Sequence, residues 1–302
     1  MHWFFIALAA PFFWSLCNHI DKYQVENFYR NVRAVTLLIF TSVVSLFFSL
    51  FILLAKHDVY HMAWKDILIV FVAGIFFLLA NFPYIYALMK DEASRVVPLF
   101  QVIPIFSYTL ALLFLGETLT IAQLLGGAII LSGAILITLD LDDKFRLKKS
   151  VLGLMMLSAA LLSIEGFLFK FVGRNAGFWP TAFYQYLGTA SVGLVMLALP
   201  TFRKDLSKVL RKNGKRAVPL SMFTESFNVI ARVCFNYASL LAPLALVSLV
   251  NGFQPFFVIA IGIFMTLFVR GANRESLLKK HLAQKLISII IIFAGTYFLF
   301  KQ

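Results

Sequence analysis

Along the chain, apolar runs of about twenty residues alternate with short polar stretches. A helix rises about 1.5 Å per residue and a bilayer's hydrocarbon core is about 30 Å thick, so each run is long enough to cross it. The pattern predicts ten runs, at 3–21, 33–55, 66–89, 95–114, 119–139, 150–170, 179–199, 217–240, 243–269 and 282–300. Some links are very short: LGET (115–118) joins runs four and five, and LLAP (240–243) joins eight and nine. Links this short hold neighbouring helices antiparallel. The opening MHWFFIALAAPFFW is apolar from its third residue. It has neither a basic leader nor a small-x-small cleavage site, so it reads as a retained first helix.

The runs also repeat. With an offset of 148–151, SLCNHIDK (15–22) falls on SIEGFLFK (163–170), matching Ser15 with Ser163 and Lys22 with Lys170. YALMK (86–90) then falls on YASLL (237–241), and Pro104 on Pro255. After an insertion, LSGAILI (131–137) falls on FAGTYFL (293–299). The unit is five helices, residues 1–142 followed by 143–302. Five is odd, so the second copy enters the membrane from the opposite side. The expected fold is an all-α polytopic membrane protein of ten transmembrane helices in two inverted five-helix repeats. That plan is common in secondary transporters, which bind substrate at the repeat interface.

Composition agrees with the pattern. Hydrophobic residues make up 61% of the chain, charged residues 14%, and the mean hydropathy is +0.88, too little polar surface for a soluble chain of this length. The expected location is a membrane, taken to be a bacterial inner membrane, and the lipid bilayer is the first partner. A net charge of +13 would suggest nucleic acid in a soluble protein. Here Lys and Arg are expected in cytoplasmic links instead, so no nucleic acid is expected. Twenty-one of the 27 lie in the odd-numbered links. This places those links in the cytoplasm and both ends outside. Cys17 and Cys234 sit within apolar runs, without the spacing of a disulfide framework or metal site. There is no P-loop, no nucleophile beside a base and no metal-ligating cluster. An enzyme, a cofactor and a metal are therefore not expected.

At the level of motifs, the chain resembles the EamA-type branch of the drug/metabolite transporter superfamily. The resemblance rests on the two five-run halves, IYAL (85–88) closing run three, Pro104 in run four, and LGETLTIAQLLGGAIILSGAILI (115–137). It implies a membrane transporter with both termini inside, against the charge count. In the second half FVRGANRESLLKKHLAQ (268–284) replaces the Gly-Glu turn, so that hairpin is expected to be longer and more basic.

Polar residues within the runs mark the candidate site. In run eight, Glu225, Asn228, Arg232 and Asn236 step by three, four and four, which puts them on one helix face. Ionisable groups at bilayer depth are costly and need partners or water. Glu225 and Arg232 stand two turns apart, too far for a tight pair, so each is expected to have another partner. Glu165 in run six, Asn81, Tyr84 and Tyr86 in run three, and Tyr184 and Gln185 in run seven complete the candidate substrate site. Aromatic residues with a few polar groups suit a small organic molecule. Lys22 and Lys170 occupy matched positions suited to gating or to snorkelling at the interface. Pro104 and Pro255 are expected to kink runs four and nine, Gly126, Gly127 and Gly133 to allow close helix packing, and Glu117 to cap run five.

The expected function is secondary transport of a small organic metabolite by alternating access. Arg232 suits an anionic group, and Glu225 or Glu165 suits a coupling proton or an amine, so an amino acid or similar zwitterion would use both signs. The alternative is a non-transporting membrane protein, such as a lipid-handling factor or assembly subunit, in which the polar residues form fixed pairs around a dry centre.

Overall fold

The computed structural model describes residues 2–91, 96–136, 149–268 and 279–300. The boundary between the two expected halves (142/143) and most of the basic link after run nine lie outside the described residues. Among those described, every regular element is helical. Only a helix or a closed barrel satisfies its backbone groups within lipid, and runs of about twenty residues have the length of a spanning helix. In order they are α1 (His2–Asn27), α2 (Ala34–Ala55), α3 (Trp64–Lys90), α4 (Val97–Leu115), α5 (Ile121–Leu136), α6 (Lys149–Ala176), α7 (Phe178–Ala198), α8 (Pro200–Leu241), α9 (244–268) and α10 (Lys279–Leu299).

Six of these are long and apolar enough to cross a membrane: α1, α2, α3, α4, α6 and the Leu244–Phe264 part of α9. A seventh is reached if α7 and α8, bent by 91° at their junction, count as one span. Helix α5 and Leu286–Leu299 are apolar but shorter. Length and composition thus support six or seven candidate spans among the described residues. The 42-residue α8 differs most from expectation. Its first part, 200–216, reads in sequence as a basic link, yet it is helical. Pro200 opens it with a preset φ, and its Leu, Lys and Arg residues are good helix formers. Asp205 and Val209, one turn apart, face inward, and Arg33 holds Asp205 at 2.9 Å.

The winding changes next to Pro104 and next to Pro255. In α4 a 3₁₀ stretch, Val97–Val102, gives way to α-helix at Ile103; in α9 the 3₁₀ turn Asn251–Phe253 gives way at Gln254. Proline has no N–H to donate, so the turn before it winds differently. A serine supports each place. Ser163 Oγ donates to Ile103 O at 3.2 Å, and Ser15 Oγ donates to Gln254 O at 3.1 Å.

Helix packing is closest for α3 with α6, α1 with α8, α5 with α10, and α2 and α3 with α7. Small residues permit it. A Cβ on Gly126 would stand 2.8 Å from Gly295 O, and one on Gly133 would stand 2.8 Å from Ile292 Cγ1, so the α5–α10 backbones touch only because those Cβ atoms are missing. Gly127 faces Leu249 at the same distance. Outward-facing Phe47, Phe51, Leu54, Leu113, Phe114 and Tyr297 are exposed, as suits a lipid boundary.

Glu117 corrects one expectation. It does not cap α5. Thr120 and Gln123 do that reciprocally: Gln123 N donates to Thr120 Oγ1 at 3.3 Å and Thr120 N to Gln123 Oε1 at 3.0 Å. Glu117 instead reaches across to α9, accepting from Leu244 N at 2.8 Å, and pairs with Lys170 at 2.5 Å. The unsatisfied N–H groups and positive end of α9 attract the carboxylate as those of α5 would have.

Candidate functional site: a polar cavity at the centre

Six helices surround a cavity with about 100 Å³ open to the centres of water molecules. That is several times the space one water needs. Helical periodicity explains how each wall is built. Helix α1 presents Trp14, Cys17, Asn18 and Asp21; α3 presents Phe77, Asn81 and Tyr84; α8 presents Asn228, Arg232, Phe235 and Asn236. Within each set the residues recur at intervals of three, four or seven, with Asn18 and Asn236 next to a member of the row, so each set is one helix face. Phe100 and Ile103 of α4, Leu162 and Glu165 of α6, and Asn251 and Gln254 of α9 close it.

Arg232, 2% exposed, is the most heavily engaged of these side chains. Its Nε donates to Glu165 Oε1 at 3.3 Å and its Nη1 to Thr189 Oγ1 at 3.1 Å. Nη2 stands 3.3 Å from Glu165 Oε1 but makes no hydrogen bond. The guanidinium plane lies over the Phe77 ring, 3.7 Å from its centroid, and 4.6 Å from that of Tyr186. Ion pair and π-faces together compensate a cation held out of water. Glu165 also accepts from Gln185 Nε2 at 2.6 Å, and Gln185 Oε1 accepts from Asn236 Nδ2 at 2.8 Å. Gln185 thus stands behind the pair and orients Glu165.

Glu225 lies off the cavity wall, beside a narrow cleft that it shares with Thr41, Phe77, Tyr186 and Arg232. Thr41 Oγ1 donates to it at 2.6 Å and Asn228 Nδ2 at 3.0 Å. Asn228 in turn accepts from Trp14 Nε1 at 3.1 Å. Tyr84 donates to Asn18 Oδ1 at 2.9 Å, and Asn81 donates to Phe77 O of its own helix at 2.7 Å.

The structure therefore brings Arg232, Glu165, Asn228, Asn81 and Tyr84 to one cavity, with Glu225 and Gln185 a bond or two behind the wall. Tyr86 is 40% exposed and Tyr184 packs on Phe183; neither lines the cavity. Lys22 and Lys170 lie beyond it, each against the C-terminal end of another helix. Lys22 donates to Leu88 O at 2.8 Å and Asp91 O at 3.0 Å, and Lys170 donates to Ala242 O at 2.6 Å. Sequence reasoning does not single out Asn251 and Gln254. Their signal is polar residues three apart in an apolar run, just before Pro255. Among the described residues no three His, Cys, Asp or Glu side chains stand together as a metal site.

Comparison with known proteins agrees with this architecture. A crystal structure of another protein superposes with a TM-score of 0.63, covering 99% of this chain and 96% of that one at 16% identity, which makes the fold alike. An uncharacterised protein of Methanocaldococcus jannaschii, MJ1333.1, is 32% identical over 102 residues, which is 34% of this chain and 74% of that protein. Residues 1–139 match the EamA-like transporter family. With the helical architecture, the apolar spans and the family's own sequence pattern over its first half, the chain is an integral membrane protein that belongs to the EamA-like transporter family.

Proposed function

We propose that the protein is a secondary transporter that moves a small organic metabolite by alternating access, with the central cavity as its binding site. On this reading all ten helices cross the membrane, as inverted repeats 1–142 and 143–302, in a bacterial inner membrane. One observation carries the reading: the cavity is walled by α1, α3 and α4 of the first half and by α6, α8 and α9 of the second. These are matched helices, so the site lies where two halves would rock against each other.

Other matched features support it. The α1–α8 packing has its counterpart in α6–α3, and α1–α9 in α6–α4; the α2–α7 and α5–α10 pairs map onto themselves. Ser15 and Ser163 each bond the carbonyl before a matched proline. Lys22 and Lys170 each engage the end of a matched helix. Glu225 and Glu165 are the carboxylates suited to carry a coupling proton.

Purified protein reconstituted into liposomes and screened against a panel of labelled metabolites tests the proposal. Saturable flux of at least one small organic solute is expected. Absence of flux across the panel, from a folded and correctly inserted protein, would favour a lipid-handling or assembly role.

A further inference from the structure

We infer that the cavity takes a small organic cation, its ammonium group seated at Asp21 and a hydrogen-bond-accepting group on the same molecule facing Arg232 and Asn18. The inference rests on reading the cavity as a substrate site.

The charges around the cavity do not balance. Asp21 and Glu165 line it, Glu225 stands behind Asn228, and the one basic side chain on the wall is Arg232. Glu165 already meets the charge of Arg232. Glu225 is held by two neutral donors. Asp21 makes no hydrogen bond or ion pair among the described residues. Its neighbour Lys22 points elsewhere, to Leu88 O, Asp91 O and Glu26. Cys17, Tyr29, Tyr84 and Glu225 lie within electrostatic reach of Asp21, and none of the four can carry a positive charge. A part-buried carboxylate on the cavity wall with no counter-charge is costly. A divalent metal is a poor match, because one carboxylate is too few charged oxygen ligands. An ammonium supplies the missing charge.

The neutral groups fit the same molecule. Asn236 Oδ1 and Asn251 Oδ1 are buried acceptors without a donor, and both residues line the cavity. They suit donors elsewhere on the ligand, because the contacts of Cys17 and Gln24 place Asp21 level with residues 221–224 of α8, several turns from Asn236. Asn18 Nδ2 and Arg232 Nη2 are buried donors without an acceptor, suited to an oxygen elsewhere on the ligand. Trp14, Phe77, Tyr84 and Phe100 offer the ring faces that favour both a cation and an apolar body.

The test uses three probes with one aromatic body and different charge: 2-phenylethylamine, phenylalanine and 3-phenylpropionate. Their binding to the purified full chain in nanodiscs is measured by calorimetry at neutral pH. The amine is expected to bind at least ten-fold more tightly than the carboxylate. Asp21→Asn should weaken amine binding at least ten-fold and erase the charge preference, while Asp21→Glu should retain it. The wild-type order stands on its own if the Asn variant does not fold. Phenylalanine, which carries an ammonium and an acceptor, is expected to bind with the amine and not with the carboxylate. Tighter binding of the carboxylate than of the amine, binding of none of the three, or unchanged amine affinity in a folded Asp21→Asn would overturn the inference. Liposome flux of an anion would also overturn it while leaving the transporter reading intact; absence of all flux would remove that reading itself.

Discussion

Lys22 and Lys170, 148 positions apart, perform the same task in opposite halves: each carries its ammonium from one helix to the C-terminal carbonyls of another, Lys22 to Leu88 O at 2.8 Å and Lys170 to Ala242 O at 2.6 Å. A cation at a helix C-terminus meets unsatisfied carbonyls and the negative end of the helix dipole. Their counter-ions differ. Lys170 pairs with the mostly buried Glu117, Lys22 with the exposed Glu26. Glu117→Gln leaves a buried lysine without its charge partner and should destabilise the protein by about 3–5 kcal/mol. Glu26→Gln should change stability by about 0–1 kcal/mol. Thermal unfolding of the two variants in one detergent compares them. Equal shifts would show that the Lys170 contact is worth no more than a surface pair.

Arg232 and Glu165 set up a second prediction. Arg232→Gln should lower flux at least ten-fold and lower thermal stability, because Glu165 then stays buried with only Gln185 for company. Adding Glu165→Gln should restore stability but not flux. Arg232→Lys should recover only part of either, since an ammonium lacks the planar fork and stacks less well between Phe77 and Tyr186. Full flux in Arg232→Gln would make the pair purely structural.

Proton coupling has its own test. If Glu225 carries the coupled proton, Glu225→Gln should leave downhill exchange measurable while removing acceleration by an imposed pH gradient. The measurement is liposome flux with and without that gradient. A variant still accelerated by the gradient moves the role to Glu165 or Asp21.

Two glycines should behave oppositely. A methyl on Gly126 would stand 2.8 Å from Gly295 O, whereas one on Gly153 meets nothing within 4 Å. Gly126→Ala should push α5 from α10 and reduce folded yield, because backbone cannot yield as a flexible side chain can. Gly153→Ala should be neutral or stabilising by roughly 1 kcal/mol, from helix propensity alone. Size-exclusion yield and melting temperature read both. A neutral Gly126→Ala would mean that the α5–α10 contact is looser than the structure has it.

Orientation follows from charge. With 21 of the 27 basic residues in odd-numbered links, both ends should lie outside the cytoplasm. A reporter active only in the cytoplasm, fused after Gln302, is expected to be silent. Strong activity would restore the orientation that the family resemblance implies.

The membrane class, the helix positions and the polar row of α8 were legible in the sequence because they are local. Apolar runs and steps of three and four residues mark a helix and its face whatever packs against it. The row Glu225, Asn228, Arg232 and Asn236 lies inward, and Phe223 and Ile230 on the other face are exposed. The seven-residue gap between Glu225 and Arg232 also implied separate partners, and Thr41 and Glu165 are those partners.

Choice of partner was another matter. Sequence puts Asp21 beside Lys22, yet the helix turns Lys22 toward the end of α3 and leaves Asp21 on the cavity wall. Local rules put Glu117 on α5, but Thr120 and Gln123 take that cap and Glu117 bridges to Lys170 and α9. Nothing in the chain announces that Glu165 and Arg232, 67 residues apart, share a bond. Periodicity decides which groups leave the lipid. Which group each then meets is decided by helix packing, because in a medium of low dielectric a charge is stabilised by the few groups within a few ångströms of it, and those come from distant parts of the chain.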